Sequence, residues 1–305
     1  IFDYALENFE RFCVNIGFLH NFYAKTMFTR WSPELKDWLN RPGTKALQLG
    51  DLNYHVTVGP HQEALLSIAS DIDNIIENGN VQKRSKKSTA ALCTVDGIEF
   101  FAKHVRFTEK KFLFRLRYFV SPSRSYWTAV VADHLERAGL HTPKVLAAGD
   151  RRQFGLVSDS YIITEILHGA DTADKTLRSQ PNSTQLLSEA GVLLKRLHDS
   201  GMAHGDIKLA NFYVKDSDMG FWDLDSAMLF SNGTPEKWRI RDLGRLLSSF
   251  ILCVDAMKET VDSFFDVKHF AQTLANAYGI NPDQILKQFE SYWLKKIKIQ
   301  HPIQL

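Results

Sequence analysis

Three polar residues in the second half of the chain have the types and the order that phosphoryl transfer requires. Asp206 and Asn211 lie at the two ends of a short loop, and Asp223 follows an apolar segment. Phosphoryl transfer depends on positioning and electrostatics, so a carboxylate must accept the proton of the attacking hydroxyl. An amide oxygen and a second carboxylate must hold the magnesium ions that neutralise the phosphates. We therefore predict Asp206 as the base and Asn211 and Asp223 as ligands of Mg²⁺.

The residues between Asn211 and Asp223 predict how these two side chains meet. Phe212–Val214 has the apolar character of a strand, Lys215–Asp218 that of a turn, and Met219–Trp222 that of a returning strand. Such a hairpin brings Asp223 back beside Asn211. The alternative is a surface loop rich in Asp and Asn. The hairpin and the Asp that follows it favour a protein-kinase-like phosphotransferase.

The composition is that of an ordinary soluble globular protein. The chain has 305 residues, 44% hydrophobic and 24% charged, which is enough for one bilobal enzyme or two modest domains. A net charge of +2 does not indicate a nucleic-acid-binding protein. Cys13, Cys93 and Cys253 are too far apart to predict a metal site or a disulfide framework, which favours a reducing cytoplasm. The sequence has no apolar run long enough to span a bilayer.

Residues 1–78 have a helical pattern and carry no catalytic motif. Apolar residues recur at helical spacing from Phe2 to Ile16 and again from His61 to Glu77. We expect an extra helical N-terminal segment, which is either a layer on the small lobe or the tail of another domain. Because the chain begins at Ile1 and not at Met, we also expect it to be a fragment or a processed form.

Residues 79–168 are predicted to form a small lobe built on an antiparallel sheet. Ala91–Val95 and Ile98–Val105 have the pattern of strands, joined by the turn signal Asp96-Gly97. Lys103 lies in the second strand, where protein-kinase-like enzymes place a lysine that binds the α- and β-phosphates of ATP. The alternative is an ordinary edge-strand lysine. The catalytic loop downstream favours the ATP contact.

A basic segment, Lys83–Thr89, precedes this hairpin and takes the place of a glycine-rich phosphate-covering loop. It contains no glycine, but Ser85 and Lys86 supply a hydroxyl and an ammonium group that can contact phosphate directly. A solvated charged turn and a basic run of the nuclear-localisation type stay open as alternatives.

The end of the small lobe is predicted to be the hinge at which adenine binds. Tyr161–Leu167 has the pattern of a strand that leads into a linker. We expect the backbone of Glu165 and Leu167 to bond the adenine ring, with a plain buried strand as the alternative.

Tyr126–Arg137 is predicted as the small-lobe helix that supplies an acid to the phosphate-binding lysine. Its acids, Asp133 and Glu136, lie late in the helix. Solvent-facing charges are therefore at least as good an interpretation of these two residues.

Residues 169–305 are predicted to form a mostly helical large lobe. Ser188–Asp199 and Arg239–Val254 carry apolar residues at helical spacing. In the second helix, Asp242 is a candidate for orienting the catalytic loop, with a surface salt bridge as an equal alternative. The tail Tyr292–Ile299 mixes apolar and basic residues, and a packed terminal helix explains it better than contact with a membrane interface.

These segments together resemble the bacterial lipopolysaccharide core kinases, which phosphorylate heptose or Kdo sugars and share a protein-kinase-like fold. The resemblance covers about residues 80–260. It is carried by the basic segment with its hairpin, by Phe100–His104, Arg137–Leu146, His204–Asp225 and Arg241–Leu246. The His-Gly-Asp form of the catalytic loop is shared with aminoglycoside and choline kinases, and it argues against a typical eukaryotic protein kinase.

The resemblance implies a fold class, an activity and two cofactors. The fold is expected to be α+β and bilobal, with a small antiparallel-sheet N-lobe, a mostly helical C-lobe and the extra N-terminal segment. ATP and Mg²⁺ are the expected cofactors, with Lys103 on the ATP phosphates. Lys208 is expected to stabilise charge on the transferring phosphoryl group. The expected acceptor is a heptose or Kdo hydroxyl of a lipid A-linked lipopolysaccharide core.

Two other functions stay open, namely a small-molecule or protein kinase of the same fold and a pseudokinase that acts as a binding module. The retained catalytic residues speak against the pseudokinase. Basic clusters at Lys83–Lys87, Lys110–Arg117 and Lys295–Lys298 predict a cytoplasmic enzyme in peripheral, salt-sensitive contact with anionic lipid of the inner membrane. Solubilising charges that face different directions are the alternative.

Overall fold

The computed structural model of the protein describes residues 33–57, 62–108, 118, 122–179, 183–216, 218–255 and 267–296. The chain divides into two units. The first comprises Ile1–Asp133 and Pro143–Ile166, and the second comprises His134–Thr142 and Leu167–Leu305. The longer segment of the second unit thus begins at Leu167, close to residue 168, where the small lobe is predicted to end.

A seven-stranded antiparallel sheet is the frame of the first unit, with the strand order β1-β2-β6-β7-β5-β4-β3. The strands are β1 (Thr44–Leu49), β2 (Leu52–Thr57), β3 (Asn80–Arg84), β4 (Ser88–Val95), β5 (Ile98–Arg106), β6 (Val145–Gln153) and β7 (Leu156–Thr164). The antiparallel sheet predicted for this part of the chain is confirmed.

The β4–β5 hairpin places Lys103 on an inner strand. Asp96 and Gly97 have φ angles of 51° and 76°, the left-handed backbone of the tight turn that the sequence predicts. Lys103 pairs with Ala90 of β4 on one side and with Ile162 of β7 on the other. The alternative of an edge-strand lysine is therefore wrong.

Two helices, α2 (Gln62–Ser70) and α3 (Ile72–Asn78), cover one face of this sheet. Ile72 of α3 and Phe100 of β5 belong to the same buried core, in which both are almost fully inaccessible to solvent. Because side chains alternate along a strand, Lys103 lies on the opposite face from Phe100. The N-terminal helices therefore support the lysine strand from behind.

The N-terminal segment differs from the helical one that we expected. Its described part contains α1 (Pro33–Leu39), α2 and α3, but β1 and β2 lie between α1 and α2, and β2 pairs with β6. Leu52, Tyr54 and Val56 are buried at every second position, which is the period of a strand. The hairpin thus extends the sheet, and residues 44–57 are strands because their apolar side chains alternate.

The single helix predicted from His61 to Glu77 is also two helices. The chain breaks at Asp71, whose φ and ψ of −132° and 34° are not helical. The other predicted helix of this segment, at Phe2–Ile16, lies outside the described residues.

Polar side chains fasten α3 to the sheet. On β5, His104 lies 2.8 Å from Asp159 of β7 and 3.5 Å from Asp73 of α3. Arg151 of β6 lies 3.4 Å from Asp73 and 3.6 Å from Asp159. Burial alone would raise the pKa of Asp159, but its hydrogen bond with His104 is among the contacts that hold it below the ordinary value. This network fixes the strand neighbour of Lys103.

The second unit is mostly helical, as the sequence predicts. Its helices are α5 (Ala173–Ser179), α6 (Ser183–Asp199), α7 (Glu236–Asp255), α8 (Val267–Tyr278) and α9 (Pro282–Lys296), and α4 (Arg124–Arg137) has residues in both units. Its short strands are β8 (Asp171–Thr172), β9 (Met202–Ala203), β10 (Phe212–Lys215), β11 (Asp218–Phe221) and β12 (Met228–Leu229). The hairpin predicted after Asn211 is β10–β11, and it is confirmed.

Candidate active site

The loop that carries Asp206 is attached to helix α7 by a buried carboxylate. Asp242 accepts hydrogen bonds from the backbone N–H groups of His204, at 2.8 Å, and Gly205, at 3.2 Å. Its side chain is fully buried, and His198 of α6 lies 3.3 Å from it. Asp242 therefore orients the loop, as predicted, and the alternative of a surface salt bridge is wrong.

Gly205 is the residue that lets the chain turn at this point. Its φ angle is +76°, a conformation that residues with a Cβ rarely adopt. A Cβ added to Gly205 would also lie 2.5 Å from the carbonyl oxygen of Ser226. The middle position of His-Gly-Asp is thus fixed by backbone geometry, and a larger residue there would displace the loop or the segment with Ser226.

Helix α7 also holds the loop one and two turns beyond Asp242. The guanidinium of Arg245 donates a 2.7 Å hydrogen bond to the carbonyl of Gly205 and forms an ion pair with the carboxylate of Asp206. The hydroxyl of Ser249 accepts the N–H of Leu209 at 2.9 Å. One face of one helix therefore determines where Asp206 lies.

Arg245 was not predicted from the sequence. The available signal was its spacing, because a residue three positions after Asp242 lies on the same helical face. Its identity alone gave no indication, since arginine is common on helix surfaces.

The amide of Asn211 is oriented for a metal ligand. Its nitrogen donates a 2.7 Å hydrogen bond to the carbonyl of Asp206, which leaves Oδ1 as the atom available to a cation. The carbonyl of Asn211 accepts the N–H of Trp222 at 2.7 Å, and Phe212 pairs with Phe221. The hairpin thus brings the chain back beside Asn211, one residue before Asp223.

Asp223 has the left-handed backbone conformation, with φ of 51° and ψ of 61°, and it is exposed. A carboxylate and an amide oxygen are ligand types that suit Mg²⁺, which takes one or two protein oxygens and completes its shell with phosphates and water. The described residues contain no group of three or more His, Cys, Asp and Glu that could hold a metal. Asn211 and Asp223 fit the smaller protein contribution that Mg²⁺ needs.

His204 connects the loop of Asp206 to the residue that precedes Asp223. Its Nε2 lies 3.1 Å from the carbonyl oxygen of Trp222, and its Nδ1 has no hydrogen-bond partner among the described residues. Burial lowers the pKa of the imidazole, so His204 is neutral and donates from Nε2. The sequence identified His204 only as the first letter of a motif, whereas its contact sets the distance between the loop and the residue before Asp223.

The predicted phosphate contacts in the first unit lie on the sheet and at one of its turns. Lys103 is half-buried on β5, and Ser85 and Lys86 are exposed between β3 and β4. The Ser85 N–H donates to the carbonyl of Ser88 at 2.8 Å, and its hydroxyl accepts the N–H of Ser88 at 3.1 Å. Ser85 therefore shapes the turn, while Lys86 presents its ammonium group to solvent.

At the predicted hinge, the backbone of Glu165 is partly occupied. Its N–H donates to the carbonyl of Lys144 at 3.0 Å, and its carboxylate accepts the N–H of Lys144 at 2.8 Å. The Leu167 carbonyl accepts the N–H of Ala170 at 3.2 Å. The Glu165 carbonyl accepts the Thr164 hydroxyl at 3.2 Å, so an adenine contact at Glu165 would use the second lone pair of this oxygen.

Neither late acid of α4 is a good partner for a phosphate-binding lysine. Asp133 is buried in an ion pair with Arg41, a residue of the turn between α1 and β1. Glu136 is exposed at the helix end and belongs to the second unit. For Asp133, the prediction of a solvent-facing charge is also wrong, because this side chain is buried. The sequence did not indicate its partner, since Arg41 comes from a distant part of the chain.

Comparison with known proteins identifies the family. The model of the lipopolysaccharide kinase (Kdo/WaaP) family matches residues 106–273, more than half of the chain. The chain belongs to this family. The resemblance predicted from the motifs is confirmed.

Curated relatives in this family are 3-deoxy-D-manno-octulosonic acid kinases. That of Vibrio cholerae serotype O1 is 26% identical over 128 residues, which are 42% of this chain and 53% of the relative. That of Haemophilus influenzae is 27% identical over 131 residues, 42% of this chain and 54% of the relative. The chain thus spans about half the length of the curated relatives it matches.

A solved structure of WaaP, in complex with acyl carrier protein, is similar in fold. It covers 78% of this chain and 95% of its own, with a TM-score of 0.52 and 20% identity. The protein-kinase-like α+β fold predicted from the sequence is confirmed. In the part of the chain that the structure describes, no helix is both long enough and apolar enough to cross a membrane.

Replacing Asp242 by Ala is expected to destabilise the protein by roughly 3 kcal/mol or more, because two buried backbone donors lose a charged acceptor. The free energy of unfolding, measured with urea, tests this. Asp218→Asn, at an exposed carboxylate of the β10–β11 hairpin, is the control and should change it by less than about 0.5 kcal/mol. A loss at Asp242→Ala no larger than that of the control would show that the loop does not depend on this carboxylate.

Proposed function

We propose that the protein is an ATP-dependent kinase that phosphorylates a sugar hydroxyl, heptose or Kdo, of the lipopolysaccharide inner core. The observation that supports this most is the fixed loop in which Asp206 forms an ion pair with Arg245 and the Asn211 amide nitrogen bonds the Asp206 carbonyl, which leaves the amide oxygen available. These are the base and the metal ligands that in-line phosphoryl transfer needs. Membership of the Kdo/WaaP family supports the sugar acceptor.

In this proposal Asp206 accepts the proton of the attacking sugar hydroxyl. The ion pair with Arg245 holds its carboxylate in one orientation, which is how positioning contributes to a transfer with little covalent work by the protein. Lys208, which is exposed two residues further on, would stabilise charge on the transferring phosphoryl group. Asn211 and Asp223 would hold Mg²⁺, which supplies neutralisation of the phosphate charge when it is bound.

Lys103 is the proposed contact to the α- and β-phosphates of ATP. An inner strand restricts its side chain better than an edge strand would, and the ion network at His104 fixes the neighbouring position. Ser85 and Lys86 are proposed as further phosphate contacts, and the backbone of Glu165 and Leu167 as the contact to adenine.

The acceptor is proposed at two levels of detail. A lipopolysaccharide sugar is supported by the family, and Kdo by the names of the curated relatives. Heptose stays in the proposal because the identity to those relatives is low and covers about half of their length. A small-molecule or protein kinase and a pseudokinase are the outcomes that a lack of sugar phosphorylation would favour.

For location we propose the cytoplasmic face of the inner membrane, where a lipid A-linked core is accessible. In the described residues, four exposed basic side chains lie at the end of β3 and in the turn that follows it, namely Lys83, Arg84, Lys86 and Lys87. Such a group favours reversible, salt-sensitive contact with anionic lipid. The cluster Lys110–Arg117 lies outside the described residues, as do Ile297–Lys298 of the last one.

Replacing Asp206 by Asn is expected to lower the rate of phosphoryl transfer at least about a hundredfold, because the amide cannot accept the hydroxyl proton. ATP binding should stay near that of the unmodified protein. Initial rates with MgATP and a Kdo-terminated core acceptor test this. Asp216→Asn, the same change at an exposed turn, is the control. A rate close to that of the unmodified protein in Asp206→Asn would contradict the assignment of the base.

Replacing Asp223 by Ala is expected to abolish the Mg²⁺-dependent stabilisation by ATP, because a ligand that binds only the native state raises the melting temperature. Asp225→Ala, two residues further on, is the matched control and should keep most of the shift. Thermal unfolding with ATP, in the presence and absence of Mg²⁺, makes the comparison. A larger loss for Asp225→Ala would reverse the assignment of the metal ligand.

A further inference from the structure

One cation near the proposed base, Arg241, forms no ion pair with any residue that the structure describes. Arg241 lies on α7 one turn before Arg245, and its guanidinium stacks on the Trp238 ring at 4.5 Å from the centroid. The side chain is half-buried. Among the described residues, no carboxylate lies within ion-pair distance of Arg241. Burial, together with the neighbouring charge of Arg245, lowers the pKa of Arg241, and the charges of Asp242 and Asp206 offset this only in part.

This arrangement costs stability. Two like charges four positions apart on a helix repel each other, and a cation withdrawn from water needs a partner to offset its desolvation. Arg245 has such a partner in Asp206, since they form an ion pair. The Trp238 face compensates Arg241 only in part, because a cation–π contact supplies no hydrogen-bond acceptor for the guanidinium N–H groups.

Arg241 lies near the proposed base, Asp206. Asp242 and Arg245 bond the backbone or the side chain of the catalytic loop, so this face of α7 lies against Asp206. Arg241 is adjacent to Asp242 and one turn from Arg245. The charge of Asp206 is close enough to raise the pKa of Arg241. A sugar whose hydroxyl reaches Asp206 would therefore bring its other substituents toward Arg241.

We propose that Arg241 binds an anionic group of the acceptor, a carboxylate or a phosphate on the sugar that is phosphorylated. This inference rests on the proposed function, and it extends it by assigning the residue that selects an anionic acceptor. A guanidinium presents two parallel N–H donors to a carboxylate or phosphate, and stacking on Trp238 fixes the plane of that fork. Arg245 is less suited to this role, because its Nη1 and Nη2 groups already contact Gly205 and Asp206 and its Nε is buried.

Direct binding and turnover separate this inference from the proposed function. Three soluble acceptors are compared: the methyl glycoside of 3-deoxy-D-manno-octulosonic acid, its methyl ester, and a phosphorylated heptose glycoside. Their dissociation constants are measured by calorimetry without nucleotide, and their initial rates with MgATP. The variants are Arg241→Gln, and Arg241→Met in case the first does not fold, since an unbranched stem keeps the packing on Trp238. Lys237→Gln removes an exposed charge from the same helix and is the control.

The unmodified protein is expected to bind the acid or the phosphate at least about tenfold more tightly than the ester, the scale of one charge-assisted hydrogen-bonded pair. Which of the two it prefers identifies the anion. Arg241→Gln is expected to remove this preference by weakening the anionic acceptor alone, with the KM for ATP and the affinity for the ester unchanged within about twofold. Lys237→Gln should keep the preference.

Equal binding of acid, phosphate and ester by the unmodified protein, or no binding of any, would overturn the inference. So would an undiminished preference in the Arg241 variant, or an equal loss for the ester. If binding depends on Arg241 but no acceptor is phosphorylated, the anion site stands and the proposed kinase function fails. If acceptors are phosphorylated without dependence on Arg241, the function stands and the inference fails.

Discussion

A single buried carboxylate, Asp242, fixes the backbone on which the proposed chemistry depends. It accepts the N–H groups of His204 and Gly205 from inside the protein, where an unpaired donor would be costly. Because Asp242 lies on α7, the loop is held by a helix of twenty residues. Arg245 and Ser249, on the same face, then fix the side chain of Asp206 and the backbone of Leu209. The proposed base is thus positioned by contacts with a helix.

Two hydrogen bonds connect the proposed metal ligands to the loop that Asp242 holds. The Asn211 amide bonds the carbonyl of Asp206, and the neutral His204 imidazole bonds the carbonyl of Trp222. The pairing of β10 with β11 brings the same two segments together through the backbone. Three independent contacts therefore connect Asp206, Asn211 and the residue before Asp223, so displacement of one should displace the others.

The sequence predicted those parts of the fold whose signals are local. The β4–β5 and β10–β11 hairpins have turn residues between short apolar runs, and both are present. For Asp242 the sequence left loop orientation and a surface salt bridge as equal alternatives, and its burial against the loop decides between them. The β1–β2 hairpin was missed because its alternation covers only a few residues between two helical patterns.

The contacts that sequence reasoning did not find are long-range. Arg41 pairs with Asp133 across ninety-two positions, and Arg245 reaches Asp206 across thirty-nine. Pairing of this kind leaves no periodic signal, since arginine and aspartate are also common as solvated surface charges. For the same reason the stacking of Arg241 on Trp238 becomes informative only in the structure, where no described carboxylate lies within ion-pair distance of its guanidinium.

We propose that this chain transfers phosphate to a sugar of the lipopolysaccharide core. Mass spectrometry of the core from cells with and without the protein measures that directly. The account predicts a core that is lighter by one phosphate group in the cells without it, restored by the unmodified gene and not by Asp206→Asn. A core with the same number of phosphates in both cells would contradict it.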